Sequence, residues 1–301
     1  RYAVQLDGGR DPHLAAWYSF SWQLLPNLGV DLLVQALAPI LGLEPALRAI
    51  VTATVFLQAF GLLTTSRLVH GRITPFAIIA LPFIYGHSFL YGFLNYTLAL
   101  GLLWCSLALW IAMNDSPTRR RWAVFALIAT VMWVCHLVGW ALLCIAAGSY
   151  ELWRQYERKG HRPVPAAIAS IGPLSCLLVP WIVKLLTFQR ATGAGKTSGF
   201  FRMADKLGEL FQVFRDQWYP FDLVSVEIVV VIIVGSWFSR WTRLNRGLIL
   251  AAAITAVCVI VVPDRLLGSF FADQRLIGPA FLFTLLALDI AASGSIEAAR
   301  T

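Results

Sequence analysis

Apolar runs of about twenty residues recur along the whole chain and are separated by short polar segments. A helix of that length matches the thickness of a bilayer core. Spanning strands would instead alternate apolar and polar positions. The pattern predicts an all-α polytopic transmembrane helix bundle with about nine spans, at residues 46–68, 74–87, 89–113, 121–135, 137–152, 164–187, 222–238, 247–262 and 276–293.

The apolar run 121–152 is too long to be one span. As a single helix it would measure roughly 47 Å, whereas the bilayer core is about 30 Å thick. His136 and Gly139 lie near its centre. We therefore predict two short helices that meet near His136 and form a hairpin.

Three segments fall outside the predicted spans. Residues 28–43 form a short apolar segment interrupted by Asp31 and Pro39, which predicts a helix embedded without crossing. Residues 1–27 and 188–222 are polar and aromatic, which indicates two loops on the same face of the membrane. No repeat or linker divides the chain, so we expect all of it, residues 1–301, to form a single transmembrane domain.

The loop 188–222 contains a helical stripe of apolar residues. Charged residues lie largely away from this stripe, which predicts an amphipathic helix in the membrane interface. Such a helix either packs on its own protein or forms the lip of a lateral opening for a lipid. The stripe consists of Phe200, Ala204, Leu207, Phe211, Phe214 and Trp218.

The composition excludes a soluble enzyme, because 58% of the residues are hydrophobic and only 13% are charged. The net charge is +8, yet it is unevenly distributed. Loops 67–73, 114–122, 151–163 and 239–246 hold twelve basic and three acidic residues, whereas the remaining loops hold nine and eight. The positive-inside rule assigns the first set to the cytoplasm. It also explains the net charge without a nucleic-acid partner.

The predicted outer face collects the ionisable residues that are hardest to explain. Asp264 and Arg265 form one acid–base pair after an apolar run, and Asp273 and Arg275 form a second before the next. Charged groups at a membrane edge mark either a site or a structural ion pair. In the functional interpretation the arginines bind a phosphate, for which the guanidinium geometry is suited.

Two histidines are predicted at the same face, His87 in a turn between spans and His136 at the tip of the hairpin. They are candidates for substrate binding, and the alternative is a structural hydrogen-bonding role. No histidine or carboxylate pair has the spacing of a metal motif, so we predict no metal. The chain also lacks a G-x-G-x-x-G sequence, and no cofactor is expected.

Four stretches resemble a family of uncharacterised bacterial polytopic membrane proteins that is similar to the GT-C glycosyltransferases. The resemblance covers most of the chain and implies a location in the bacterial inner membrane. The stretches are Asp11-Pro12-His13-Leu14-Ala15 with Tyr18 and Trp22, Pro26-Asn27-Leu28 with Asp31-Leu32, Tyr91-Gly92-Phe93-Leu94-Asn95-Tyr96, and Cys135-His136-Leu137 with Asp273-Gln274-Arg275-Leu276.

The resemblance implies a transferase that takes a sugar from a polyprenyl-phosphate donor. In such enzymes the catalytic aspartate lies in the first outer loop, and Asp7 and Asp11 are the carboxylates that residues 1–27 offer. The first span of the family would precede residue 1, so this loop would be a remnant and the catalytic segment would lie upstream. The alternatives are a non-catalytic subunit of a membrane assembly, with protein partners, and a lipid transporter.

Overall fold

The computed structural model describes residues 2–7, 10–17, 25–116, 118–186, 195–215, 217–266 and 268–291. Most of these residues are helical. The helices are α1 Tyr2–Asp7, α2 Pro12–Ala15, α3 Gly29–Leu41, α4 Leu43–His70, α5 Pro75–Ile79, α6 His87–Leu90, α7 Leu94–Ala112, α8 Thr118–Cys135, α9 Leu137–Arg158, α10 Pro163–Leu174, α11 Val179–Leu186, α12 Met203–Leu210, α13 Tyr219–Phe238, α14 Arg246–Val261 and α15 Gln274–Ala287.

Short irregular elements connect some of these helices. The 3₁₀ segment Leu81–Tyr85 lies between α5 and α6, and the 3₁₀ segment Ser175–Leu178 joins α10 to α11. Strand β1, Thr242–Leu244, pairs antiparallel with β2, Leu288–Ile290.

The predominantly helical architecture predicted from the sequence is confirmed, and its long apolar helices are those of a membrane-embedded protein. Four helical segments in the described part of the chain are long and apolar enough to cross a membrane: Leu43–His70, Leu94–Ala112, Pro163–Leu185 and Tyr219–Phe238. The number of nine spans is not confirmed. The predicted span 74–87 is divided among α5, a 3₁₀ turn and α6, because Pro75 and Pro82 each begin a new helical segment.

The centre of the bundle depends on close approaches at small residues. A Cβ atom at Gly61 of α4 would lie 2.6 Å from Trp104 Cβ of α7. A Cβ atom at Gly139 of α9 would lie 2.5 Å from Ala99 Cβ. Neither distance is tolerable, so glycine is needed at both crossings. Close helix packing at small residues is the usual source of affinity between membrane helices.

The run 121–152 is a hairpin, as the sequence predicts. His136 alone separates α8 from α9, and its backbone is extended, with φ −165° and ψ 127°. Arg121 near the start of α8 donates to Glu151 near the end of α9 at 3.2 Å. We call the end of the bundle that carries His136 the outer end, and the end that carries Arg121 and Glu151 the inner end.

Candidate functional site

Three of the four stretches that carry the family resemblance meet at the outer end, whereas Tyr18 and Trp22 of the first stretch lie outside the described residues. Asn95 Nδ2 donates to Asn27 O at 2.9 Å and to Asp31 Oδ2 at 3.2 Å. The Val30 backbone N–H donates to Asn95 Oδ1, and Cys135 Sγ lies 3.6 Å from Asn95 O. Asn95 therefore joins the starts of α3 and α7 to the α8–α9 turn.

Tyr96 extends this junction to α15. Its hydroxyl donates to the backbone carbonyl of Arg275, and its ring centroid lies 5.4 Å from that of His136. His136 Nδ1 accepts from the Val138 N–H at 3.2 Å and so caps α9. The Arg275 guanidinium lies 4.1 Å from the centroid of Phe93, which is a cation–π contact.

A buried ion pair lies beside this junction at the N-terminus of α15. Asp273 Oδ1 accepts from the Gln274 N–H at 2.9 Å, and Asp273 Oδ2 accepts from Lys206 Nζ. Lys206 also donates to the carbonyls of Val259 and Val262, both at 2.8 Å. The ammonium group thus ties α12 to the C-terminus of α14, where a positive charge is favourable.

Glu209 adds a further negative charge to this ion pair. Carboxylate oxygens of Glu209, Asp264 and Asp273 lie within 4.8 Å of one another. Partial burial and the charge of Asp273 raise the pKa of Glu209 to about 7, against the opposing effect of Lys206. Glu209 Oε2 is shielded from solvent and has no hydrogen-bond partner in the described part of the chain. A carboxylate with such a pKa can act as a general base near neutral pH.

The same three carboxylates form a set that could hold a divalent cation. The Lys206 ammonium already pairs with Asp273, so the negative charge of the three carboxylates is partly neutralised without a metal. The absence of a metal therefore stays a prediction from the sequence.

A polar cavity of about 860 Å³ opens at the outer end. Helix α12 forms one wall, and α6 and the start of α15 form the other. The cavity brings together the types of side chain that bind and transform a polar substrate: an acid, a cation, an imidazole and amides. The polar residues that line it are His87, Tyr91, Asp205, Glu209, Gln212, Arg215, Gln217 and Gln274.

An apolar groove of about 660 Å³ lies on the opposite face of α12. Its walls are α13 on one side and α14 and α15 on the other, with residues such as Val230, Ala256 and Phe281. Lys206 and Leu207 of α12 line the groove, whereas Asp205 and Glu209 line the polar cavity. Helix α12 is therefore the partition between an apolar and a polar compartment.

The amphipathic stripe of loop 188–222 is only partly one helix. Helix α12 ends at Leu210, and Phe211 and Phe214 follow in turns. The Phe214 ring centroid lies 4.4 Å from that of Phe83, so this part of the stripe packs on its own protein. Phe200 and Leu207 remain exposed.

Asp7 and Asp11, the carboxylates that the sequence offered for catalysis, make local hydrogen bonds in the structure. Asp7 Oδ2 accepts from the Asp11 N–H at 2.6 Å, and Asp11 Oδ1 accepts from the His13 N–H at 2.9 Å. Both side chains thus stabilise local turns. Neither is among the described residues that line the polar cavity.

The predicted binding residues divide into two groups. His87 lines the polar cavity, and Asp264 and Asp273 approach Glu209 beside it. His136 and Arg275 are buried in the junction behind the cavity. Arg265 is half exposed and lies over the Phe270 ring at 4.2 Å, with its Nε 4.0 Å from Asp264.

Sequence reasoning missed Lys206, Glu209, Arg215 and Gln274 as site residues. The first three belong to loop 188–222, where Lys206 and Glu209 counted only as the polar side of an amphipathic helix and Arg215 only as one of the loop's basic charges. The signal in the sequence was the number of charged residues in one short helix, which holds Asp205, Lys206 and Glu209. A helix that only lies in a membrane interface does not require so many. Gln274 lies between the two predicted residues Asp273 and Arg275.

Comparisons of the chain with protein-family models, with curated proteins and with solved structures each find no match.

Proposed function

We propose that this protein is a membrane-embedded glycosyltransferase that takes a sugar from a polyprenyl-phosphate donor at the polar cavity. The observation that carries this proposal is the position of α12 between an apolar groove and a polar cavity. An isoprenoid chain fits the chemistry of the first compartment, and a phosphosugar fits that of the second. A donor delivered through the membrane needs no nucleotide-binding fold.

The transfer itself requires a base and a stabilised leaving group. Glu209 would accept the proton of the acceptor hydroxyl while that oxygen attacks the anomeric carbon. The bond between the anomeric carbon and the phosphate oxygen breaks, and the bonding electrons leave with the polyprenyl phosphate. With a pKa of about 7, a large fraction of Glu209 is ionised and able to take the proton at neutral pH.

Arg215 is the cation best situated to stabilise the departing phosphate. Its side chain is exposed to the cavity, and its Nη1 donates to Gln212 Oε1 at 2.9 Å, which restrains it there. Arginine binds phosphate oxygens through several parallel hydrogen bonds. In this proposal Arg215 takes the role that the sequence suggested for Arg265 and Arg275.

The proposed partners are membrane lipids and the lipid-linked donor, and the proposed location is the bacterial inner membrane. Protein partner subunits belong to the alternative, in which the chain is a non-catalytic member of an assembly. The polar cavity favours the transferase, because a purely structural subunit needs no open compartment lined by a carboxylate with a raised pKa.

Native mass spectrometry of the purified full chain tests the proposal. We expect an added polyprenyl phosphate to be retained in preference to phosphatidylglycerol, which has a similar charge. Arg215→Gln should weaken that retention about tenfold, as for one charge-assisted phosphate contact. The matched control is Arg202→Gln, since Arg202 is exposed and pairs only with Asp205 on α12.

Equal retention of both lipids would contradict the proposal. Release of a second polypeptide together with the chain, and no polyprenyl phosphate, would favour the assembly subunit.

A further inference from the structure

A small, partly open chamber lies beside the polar cavity and shares His87 and Gln274 with it. Its volume is about 30 Å³, and its walls are mostly apolar side chains of the core. Seven polar residues also line it, and four of them carry the argument: Gln58 of α4, His87 of α6, and Gln274 and Arg275 of α15. The other three are Ser88, Tyr96 and Thr97. The first four are 1%, 9%, 7% and 7% exposed, respectively, so each is at least nine-tenths buried.

Each of these four side chains has one polar atom without a partner among the described residues. The atoms are Gln58 Nε2, His87 Nε2, Gln274 Oε1 and Arg275 Nε. A buried polar atom that lacks a hydrogen bond destabilises the folded state, and the penalty is larger when the group is charged. Four residues that line one chamber each carry such an atom, and their combined penalty is large. This indicates a ligand that hydrogen-bonds to all four.

The hydrogen-bonding capacity of the four atoms identifies this ligand. Gln58 Nε2 and Arg275 Nε are donors, and Gln274 Oε1 is an acceptor. The imidazole nitrogen of His87 accepts when the proton lies on the other ring nitrogen. Two donors and two acceptors are the complement of one water molecule, and the chamber exceeds the roughly 10–15 Å³ that a water requires.

We propose that the chamber binds a single water molecule, which accepts from Gln58 and Arg275 and donates to Gln274 and His87. A halide would leave Gln274 Oε1 facing a negative charge, which disfavours that ligand. A metal cation would face the guanidinium of Arg275.

This water gives Gln58 and the adjacent residues Gln274 and Arg275, from two distant parts of the sequence, a common effect on His87. By donating to Nε2, it holds the imidazole neutral with its proton on Nδ1. Because His87 also borders the polar cavity, the ring is fixed in one tautomer at the cavity wall. Gln58 and Gln274 are then positioning residues for His87. The inference concerns the hydrogen bonding of His87 and does not depend on the proposed transferase activity.

The test is ¹⁵N NMR of the full chain labelled at histidine and reconstituted in lipid nanodiscs. The nitrogen shifts of an imidazole distinguish the two neutral tautomers from the doubly protonated ring. His87→Gln identifies the signal of His87 by its loss. We expect the neutral Nδ1–H tautomer, with shifts that stay the same when chloride is replaced by gluconate.

A variant sharpens the test. Gln58→Met keeps the length of the side chain and removes the donor, so we expect the His87 shifts to change and the thermal midpoint to fall by several degrees. The control is Gln35→Met, because Gln35 is exposed on α3. An Nε2–H tautomer, or His87 shifts that do not respond to Gln58→Met, would overturn the proposal.

A doubly protonated ring, or shifts that depend on chloride, would show that the chamber binds a halide. If Gln58→Met does not fold, the tautomer and the chloride response of the unmodified chain still decide between water and halide.

Discussion

Two ionic clusters lie at opposite ends of the bundle and differ in how completely their carboxylates are hydrogen-bonded. At the inner end, the Glu151 carboxylate accepts from Arg121 at 3.2 Å, from Arg154 and from Gln155 at 2.8 Å. In the inner cluster the atoms without a partner among the described residues are guanidinium nitrogens of Arg121 and Arg154, not carboxylate oxygens. At the outer end, Lys206 pairs with Asp273, while Glu209 beside them keeps an unpartnered oxygen among the described residues.

The difference separates a structural role from a functional one. The inner cluster surrounds a single carboxylate with donors and joins α8 to α9, with Arg121 also 4.0 Å from the Trp110 ring centroid. The outer cluster has more acidic than basic groups and borders a large polar cavity. Carboxylates with a raised pKa, as in Glu209, concentrate at functional sites.

The largest effect is expected from removing the carboxylate of the inner cluster. Glu151→Ala leaves two buried or half-buried guanidinium groups without an acid, which should lower the free energy of unfolding by about 3–5 kcal/mol. Thermal unfolding in nanodiscs measures the change. Glu157→Ala is the control, since Glu157 is exposed and accepts only from Trp153 on its own helix. Similar midpoints for both variants would show that the inner cluster is not a structural joint.

The matching change at the outer cluster should affect activity and spare stability. Glu209→Gln removes the proposed base, so we expect transfer from a polyprenyl-phosphate sugar to fall about 100-fold or more. The thermal midpoint should stay constant or rise, because repulsion with Asp273 is removed. Asp205→Asn is the control, as Asp205 lines the same cavity but pairs with Arg202. Loss of folding with Glu209→Gln would make the two clusters equivalent.

The pH dependence of stability should also distinguish the clusters. Burial and Asp273 raise the pKa of Glu209 from 4.5 to about 7, so the folded state keeps a proton that the unfolded state releases. Stability from this group is therefore present below about pH 4.5 and is lost as the pH rises towards 7. Thermal midpoints across this range should fall in the unmodified chain and fall less in Glu209→Gln. Identical profiles would contradict the raised pKa.

The smallest effect is expected at an ion pair outside both clusters. Arg48 Nη2 lies 2.6 Å from Glu44 Oε1 on α4, and both side chains are largely exposed. Arg48→Gln should change the free energy of unfolding by no more than about 0.5 kcal/mol. A loss comparable to that of Glu151→Ala would mean that ionic contacts stabilise this bundle irrespective of burial.

The sequence predicts the helices well and the site only in part, for separable physical reasons. Hydrophobic length determines where helices such as α4 and α7 lie, and the double length of 121–152 indicates the hairpin at His136. The proximity of Glu209 to Asp264 and Asp273 depends on how the short helix α12 packs against α14 and α15. Lys206 of α12 stabilises this packing through hydrogen bonds to residues that lie 53 to 67 positions later in the sequence. No local pattern encodes such contacts.

The single-residue link at His136 has a consequence for how the protein enters the membrane. Helices α8 and α9 have no hydrophilic loop between them, so inserting them as a transmembrane hairpin would carry no polar loop across the bilayer. Residues 26 and 28 hydrogen-bond the backbone at the turn: Leu137 N–H donates to Pro26 O and Leu28 N–H donates to Val134 O, both at 2.9 Å. During synthesis the two helices would therefore leave the translocation machinery as one unit. Residues 26–28, which are synthesised earlier, would then hydrogen-bond to the turn between them.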